Sequence, residues 1–330
     1  MSNYLLIWLK WQTVIPHLSP SPNQHSHRSP VLLLTVTILE METTLIGIGG
    51  INPRISLPDS SFQLEKSYSL FRVHSVPTMG DWHIHPEPIP DTIKPLNNLS
   101  RTSRIRDISH SNGKIIFRLW WQPDTLSPWK AAVMEPFRNR VDIWVNRIEG
   151  ESISCPLFAI DLLLFPYLLL SRGGIIIHAT AVKIGEEAYL FPAASGGGKS
   201  TWSDLMTAHP EWSVLGEDKV IVRKVNNSYQ IFGTPWNPRT EYRRANNAPL
   251  RGIYFLSHSK ENRILKIGGA EAASRLLQQA SLPFQSRQEM EQALIIVEEM
   301  AETIPAYQFG FRPDLSAVTY FSSKNKQVRI

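Results

Sequence analysis

The sequence holds a single cysteine, Cys155, among 330 residues. No disulfide can form within the chain and a cysteine-rich zinc site is excluded. A reducing, cytoplasmic setting is the expectation that follows. Charge is also scarce. Charged residues make up 19% of the chain, and 34 basic against 29 acidic side chains leave a formal net charge of +5. That mild excess suits an anionic ligand but lacks the dense basic stripe of a nucleic-acid-binding protein, so no nucleic-acid partner is expected. Long apolar runs are missing as well. The most apolar stretch, Leu162–Leu170, carries Pro166 and is too short to cross a bilayer. It reads as a buried helix, and no membrane partner is expected. Val31–Leu39 is apolar too, but Glu40, Met41 and Glu42 follow it directly, where a signal peptide needs small residues for cleavage.

Hydrophobic residues reach 42%, enough to build a core. The length suits two ordinary domains, or one with an extension. Residues 1–40 differ from the rest. His17–Pro30 is rich in Ser, Pro and His and cannot bury enough apolar surface to order itself. The segment reads as a disordered extension, with Met41 as a plausible true start. Residues 41–150 mix short β-type runs with turns. Ile115–Trp121 and Val141–Val145 are the clearest of these strands, rich in β-branched and aromatic residues. In Asp81–His85 the alternation sets His83 and His85 on one strand face, a weak metal-ligand pattern without an evident third ligand.

From Cys155 onward, in residues 151–330, the pattern is helix, strand, turn, strand and helix. Pro156–Ser171 reads as a helix closed by Gly173 and Gly174. Ile175–Lys183 and Ala188–Phe191 read as strands joined at Gly185. A helix is expected from Lys199 to Thr207, then a strand that starts at Trp212–Leu215 and resumes as Lys219–Lys224. Strands at Tyr229–Gly233, Gly252–Ser257 and Ile264–Ile267 and helices at Gly269–Ala280 and Ser286–Met300 complete the reading.

The chemistry concentrates in Ala193–Thr201, AASGGGKST. A strand, then glycines, then Lys-Ser opening a helix is the pattern of a P-loop, with Ala193 in place of its first glycine. Ser195, Gly196, Gly197 and Gly198 let main-chain N–H groups converge into an anion nest. The helix N-terminus adds its positive dipole end. Lys199 can reach the β- and γ-phosphates of ATP, and the Ser200 hydroxyl, followed by Thr201, can ligate Mg²⁺. Glu217-Asp218 lies nineteen residues on (218 − 199 = 19). One short helix and a turn would return such a carboxylate beside the phosphates, to hold metal or receive a proton. His178, in an apolar strand that should form a hairpin with the strand before the loop, is either a core histidine or a third site residue.

The run HATAVKIGEEAYLFPAASGGGKST, followed by LGEDKVIV, resembles the carboxy-terminal catalytic domain of HPr kinase/phosphorylase. It is more similar still to the diverged HPr-kinase-like proteins found near peptide-modification genes, ScmC-type proteins and lasso-peptide-pathway kinases among them. Those also carry elements like Gly233-Thr234-Pro235-Trp236 and Ala248-Pro249-Leu250. The resemblance spans roughly residues 150–315. It implies an α/β fold of the phosphoenolpyruvate carboxykinase type, with a P-loop nucleotide-binding domain behind a β-rich N-terminal region. It implies Asp218 as the catalytic base toward a serine hydroxyl, Glu217 as its companion carboxylate, and His178 as a site histidine. It implies metal bound through Ser200, Glu217 and Asp218, and a homo-oligomer, since HPr kinases form rings. Arg251 is similar to the arginine of the family's E-I-R-G segment, whereas Pro249 stands where HPr kinases carry a metal-assisting glutamate. The resemblance therefore stops short of HPr phosphorylation and its reversal. Three functions follow as expectations. The first is an ATP-dependent kinase acting on a serine of a peptide or small protein. The others are a non-catalytic nucleotide-binding module that recruits a precursor peptide, and a small-molecule kinase. Trp236 reads as either a wall of the site or a buried turn residue, and Arg239, Arg243 and Arg244 as either a phosphate-facing loop or a solvated one.

Overall fold

The computed structural model describes residues 42–59, 62–94, 105–122, 125, 127–146, 156–283 and 286–327. The proposed extension up to residue 40, Met41 and Cys155 lie outside them. The described residues from Glu42 onward form one compact unit, built on two sheets.

The first sheet has seven strands in the order β1-β2-β3-β7-β6-β5-β4. They are β1 (Glu42–Leu45), β2 (Arg54–Leu57), β3 (Asp81–His85), β4 (Arg106–Ser111), β5 (Lys114–Leu119), β6 (Lys130–Glu135) and β7 (Arg140–Val145). Strands β4 to β7 run as antiparallel hairpins. The β4–β5 turn is Asn112-Gly113, both at positive φ, the Asn-Gly pair that two-residue hairpin turns favour. Parallel pairing of β2 with β3 and of β3 with β7 closes the sheet. Trp82, Phe117, Met134 and Ile143 from this sheet share one buried cluster with Leu164 and Phe165. Those two belong to helix α1 (Asp161–Leu170). The helix starts later than the expected Pro156–Ser171, after Ala159, which sits at φ 68.

The second sheet has ten strands. In chain order they are β8 (Gly174–Ile177), β9 (Ala179–Ile184), β10 (Glu187–Pro192), β11 (Trp212–Gly216), β12 (Val220–Val225), β13 (Ser228–Phe232), β14 (Asn247–His258), β15 (Arg263–Lys266), β16 (Ala280–Ser281) and β17 (Ala306–Phe311). Its helices are α2 (Lys199–Thr207), α3 (Gly269–Gln279), α4 (Arg287–Thr303) and α5 (Leu315–Gln327). The capping box Ser286…Glu289 fixes the start of α4, each side chain bonding the other's main-chain N–H. Along β14 consecutive residues alternate between two cores. Ile253 and Phe255 pack with α3 and α4, while Tyr254 and Leu256 pack with Trp202 of α2 and Phe321 of α5. This is the period-2 alternation of a strand covered on both faces.

One segment expected as a single strand is split, and a second is interrupted at the acidic pair, as its pattern indicates. Ile175–Lys183 breaks at His178 into β8, paired with β12, and β9, paired with β10 and β11. Trp212–Lys224 breaks at Asp218, which turns the chain at φ 77. The two segments run antiparallel beside each other, Ala181 opposite Gly216 and Ile177 opposite Val220, so both breaks fall at one level. Because β8/β9 and β11/β12 each contribute to both ends of the strand order, the sheet curls until its ends meet at His178 and Asp218.

Candidate phosphate-binding site

Strand β10 ends at Pro192 and the chain enters the glycine loop. Gly196 sits at φ 76 and Gly198, the residue before α2, at φ 96, left-handed values that disfavour side chains. A Cβ on Gly197 would lie 2.8 Å from the Ala193 Cβ, so the loop folds tightly over the alanine that replaces the usual glycine. Helix α2 then begins at Lys199, and its first-turn N–H groups have no partner within the helix.

Lys199 is 9% exposed. Its Nζ donates to the carbonyls of Ala193 (2.6 Å) and Ala194 (3.0 Å). Burial lowers its pKa, and the nearby Asp218 and Glu217 carboxylates oppose that shift. Below the loop, Thr180 and Ser203 both donate to the Lys199 carbonyl and pin the first turn to β9.

Asp218 faces this loop across a cavity of about 320 Å³, within the range of small-ligand sites. Ser195, Gly196, Gly198, Lys199, Ser200 and Thr201 line one side. His178, Asp218 and His258 complete it. The strand breaks bring His178 Nε2 to 2.6 Å from Asp218 Oδ1, and Lys219 Nζ to 2.6 Å from Oδ2. The hydrogen bond from His178 and then Lys219 hold the Asp218 carboxyl well below the ordinary carboxylate range. A hard hydroxyl oxygen, from Ser200, and an ionised carboxylate thus line one small cavity, a donor set that suits Mg²⁺.

Two expected site residues lie off the cavity wall. Gly197 packs on Ala193 instead. Glu217 is 4% exposed, and its Oε2 lies 3.3 Å from Arg239 Nε. Arg239 also pairs with Asp204 of α2, so it ties the acidic turn to the helix that follows the loop. Arg243 donates to the Asn237 carbonyl at 2.8 Å, and Arg244 is exposed. Arg251 pairs with Glu187 at 2.8 Å, at the far end of β10 from the loop. His85 bonds Asp142 (2.7 Å) and stacks on Trp144. Among the described residues no group of three or more His, Cys, Asp or Glu could hold a metal ion.

Trp236 turns toward α1. Its Nε1 donates to Asp161 Oδ2 at 2.5 Å, and its ring meets Phe165 edge-on. The Tyr68 hydroxyl donates to the same carboxylate oxygen. Burial pushes the Asp161 pKa up, against these hydrogen bonds. Nearby, Glu65 Oε1 accepts from the Phe158 N–H, and burial pushes its pKa up to about 7. Gly233–Trp236 is thereby anchored to the first sheet, while buried Thr234 donates to the Lys219 carbonyl at 2.5 Å.

His258 is the cavity residue that sequence reasoning missed. Its Nε2 is 3.1 Å from the Gly196 carbonyl, and its ring lies against Phe311. It ends β14, which runs parallel to β10, and ligands gather at the carboxyl ends of parallel strands. The expected strand stopped one residue short of it.

Among the described residues, no helix is long and apolar enough to cross a membrane. No curated protein matches the chain. Among solved structures, the Hpr(Ser) kinase/phosphatase from Coxiella burnetii matches at 11% identity, over 47% of this chain and 94% of that one, with a TM-score of 0.28. A family model described as "SynChlorMet cassette protein ScmC" matches residues 159–313. That span holds the glycine loop, Asp218, His178 and His258, so the part of the chain that builds the cavity is similar to the ScmC family, as its motifs indicated.

Proposed function

We propose that the chain is an ATP-dependent kinase that transfers the γ-phosphate to a serine hydroxyl of a peptide or small protein. In this reading residues 151–330 form a nucleotide-binding domain of the phosphoenolpyruvate carboxykinase type, the glycine loop is its P-loop, and residues 41–150 are an accessory region. The observation that carries it is the meeting of Lys199, Ser200 and the Asp218–His178 pair around one cavity.

Each residue then has a task. The loop amides and the α2 N-terminus receive phosphate oxygens. Lys199, released from the Ala193 and Ala194 carbonyls, supplies a charge-assisted bond to them. Ser200 and Asp218 would hold Mg²⁺, which neutralises charge on the phosphates. Asp218 orients the acceptor serine through a hydrogen bond and receives its proton as the phosphoryl group transfers. His178 fixes the Asp218 carboxylate through its 2.6 Å contact with Oδ1.

The test is phosphate transfer from γ-labelled ATP to serine-containing peptides, read by mass. Asp218→Asn is expected to lose transfer by at least about 100-fold, the lower range for a positioned acid–base group, while still binding ATP through the loop amides and Lys199. Unchanged turnover in that variant removes the mechanism. A second reading, a nucleotide-binding module without catalysis, draws on the 2.6 Å Lys219–Asp218 pair, which neutralises the carboxylate a kinase needs. It is favoured if wild type binds Mg·ATP but labels no peptide.

A further inference from the structure

A second cavity, about 870 Å³, opens between the tips of the β4–β5 and β6–β7 hairpins and the helices α1 and α4. It sits at the opposite end of β8 from the phosphate site. Leu170 and Arg172, in its wall, lead into that strand, while His178 follows it. Four strand residues separate the two by about 13 Å.

Its floor is apolar, formed by Trp82, Met134, Val141, Tyr167 and Leu170. At its rim Phe137 is 94% exposed, an unusual state for a large aromatic side chain. The rim cations differ in how far they are neutralised. Lys114 and Arg138 share Glu135, at 2.7 and 3.4 Å. Arg140 pairs with Asp142 at 2.7 Å. Among the described residues Arg172 meets no carboxylate. Its Nη1 donates to the Leu168 carbonyl and the Ser171 hydroxyl. Glu289, the acid on the α4 side, accepts the Ser286 N–H in the capping box and lies 3.8 Å from His110 Nε2, and its negative charge stays on that wall, near Tyr167. An apolar trough therefore borders one arginine, Arg172, that forms no ion pair among the described residues, with Glu289 on the opposite, α4 side. The Tyr167 hydroxyl in its wall, 9% exposed as a residue, has no hydrogen-bond partner among the described residues.

We propose that this cavity docks an acidic segment of the acceptor peptide, with a bulky apolar side chain over Trp82, Met134 and Val141 and a neighbouring carboxylate on Arg172. The inference rests on the acceptor being a peptide. It adds a recognition site apart from the phosphorylated serine, which lets one short acceptor be held at one end and modified at the other.

The test uses the full chain and three fluorescein-labelled probes read by anisotropy: Gly-Asp-Phe-Asp-Leu-Asp-Gly, its Asp→Lys counterpart, and its Phe→Ser, Leu→Ser counterpart. The first is expected to bind at least about tenfold more tightly than either other. Arg172→Glu and Ser111→Trp, the latter placing a ring in the trough, are each expected to weaken it by about tenfold or more. Melting temperature and Mg·ATP protection should stay unchanged. Equal binding of the three probes, or binding indifferent to both variants, overturns the proposal. So does a concentration-dependent dimer that Phe137→Ala abolishes in a chain that binds no probe, since the trough then belongs to a second copy. If probe binding holds while Mg·ATP fails to bind, the kinase reading falls alone.

Discussion

Alanine at Gly198 tests the loop geometry most sharply. Gly198 adopts φ 96, and a left-handed alanine costs about 1–2 kcal/mol. A Cβ there would also lie 2.8 and 2.9 Å from the Phe311 ring and 3.1 Å from His258 Cε1. The Phe311 ring is fully buried and held by packing, and such overpacking costs about 1–3 kcal/mol. Gly198→Ala should therefore destabilise by about 2–5 kcal/mol. Gly196 is the internal control. It too has positive φ, 76, but a Cβ there meets nothing within 4 Å, so its cost is the conformational part alone, about 1–2 kcal/mol. The unfolded-state gain from replacing glycine is common to both and cancels in the difference. Urea unfolding midpoints at unchanged slope give the two values. Phe311→Leu in the Gly198→Ala background should recover the steric part, seen as a coupling of about 1–3 kcal/mol in a double-mutant cycle. Equal costs at the two glycines, or no coupling to Phe311, would refute the packing described here.

Two further outcomes concern the buried acids. Glu65, with a folded pKa of about 7 against an ordinary 4.5, binds more protons in the native state than in the unfolded state between those pH values. Stability should fall as pH rises through that window, and Glu65→Gln should flatten the decline, by about 1–3 kcal/mol across pH 4.5–7.5; an identical pH profile for the variant contradicts this. Asp161→Ala leaves the Tyr68 hydroxyl and the Trp236 N–H without their acceptor and should cost about 2–4 kcal/mol in denaturant unfolding, whereas a loss below 1 kcal/mol, the order of one ordinary net hydrogen bond, would mean the buried carboxylate does not hold that junction.

What could be read from the sequence was local. Helix α2 spans Lys199–Thr207 as its pattern indicates, because a glycine turn and a first-turn Lys-Ser are contiguous signals. The capping box at Ser286 and Glu289 is of the same kind. What stayed hidden depends on pairing between distant segments. Nothing in IIIHATAVK marks the break at His178, which arises because β8 and β9 follow different neighbours. The partners of Glu217 and Trp236 lie on other elements, Arg239 in the loop after β13 and Asp161 in α1. The parallel pairing of β2 with β3 and of β3 with β7 joins strands up to 59 residues apart (140 − 81 = 59), beyond the reach of local propensity. His258 escaped because a single histidine at a strand end carries no pattern until β14 is set beside β10.

Titration calorimetry of the full chain with Mg·ATP, beside Lys199→Ala, probes the phosphate cavity directly. Wild type should bind one nucleotide per chain and gain thermal protection as the ligand rises above its dissociation constant; the Lys199→Ala variant should lose most of both. Correctly folded wild type that gives neither heat nor protection would contradict the assignment of the Ser195–Thr201 loop as a nucleotide site.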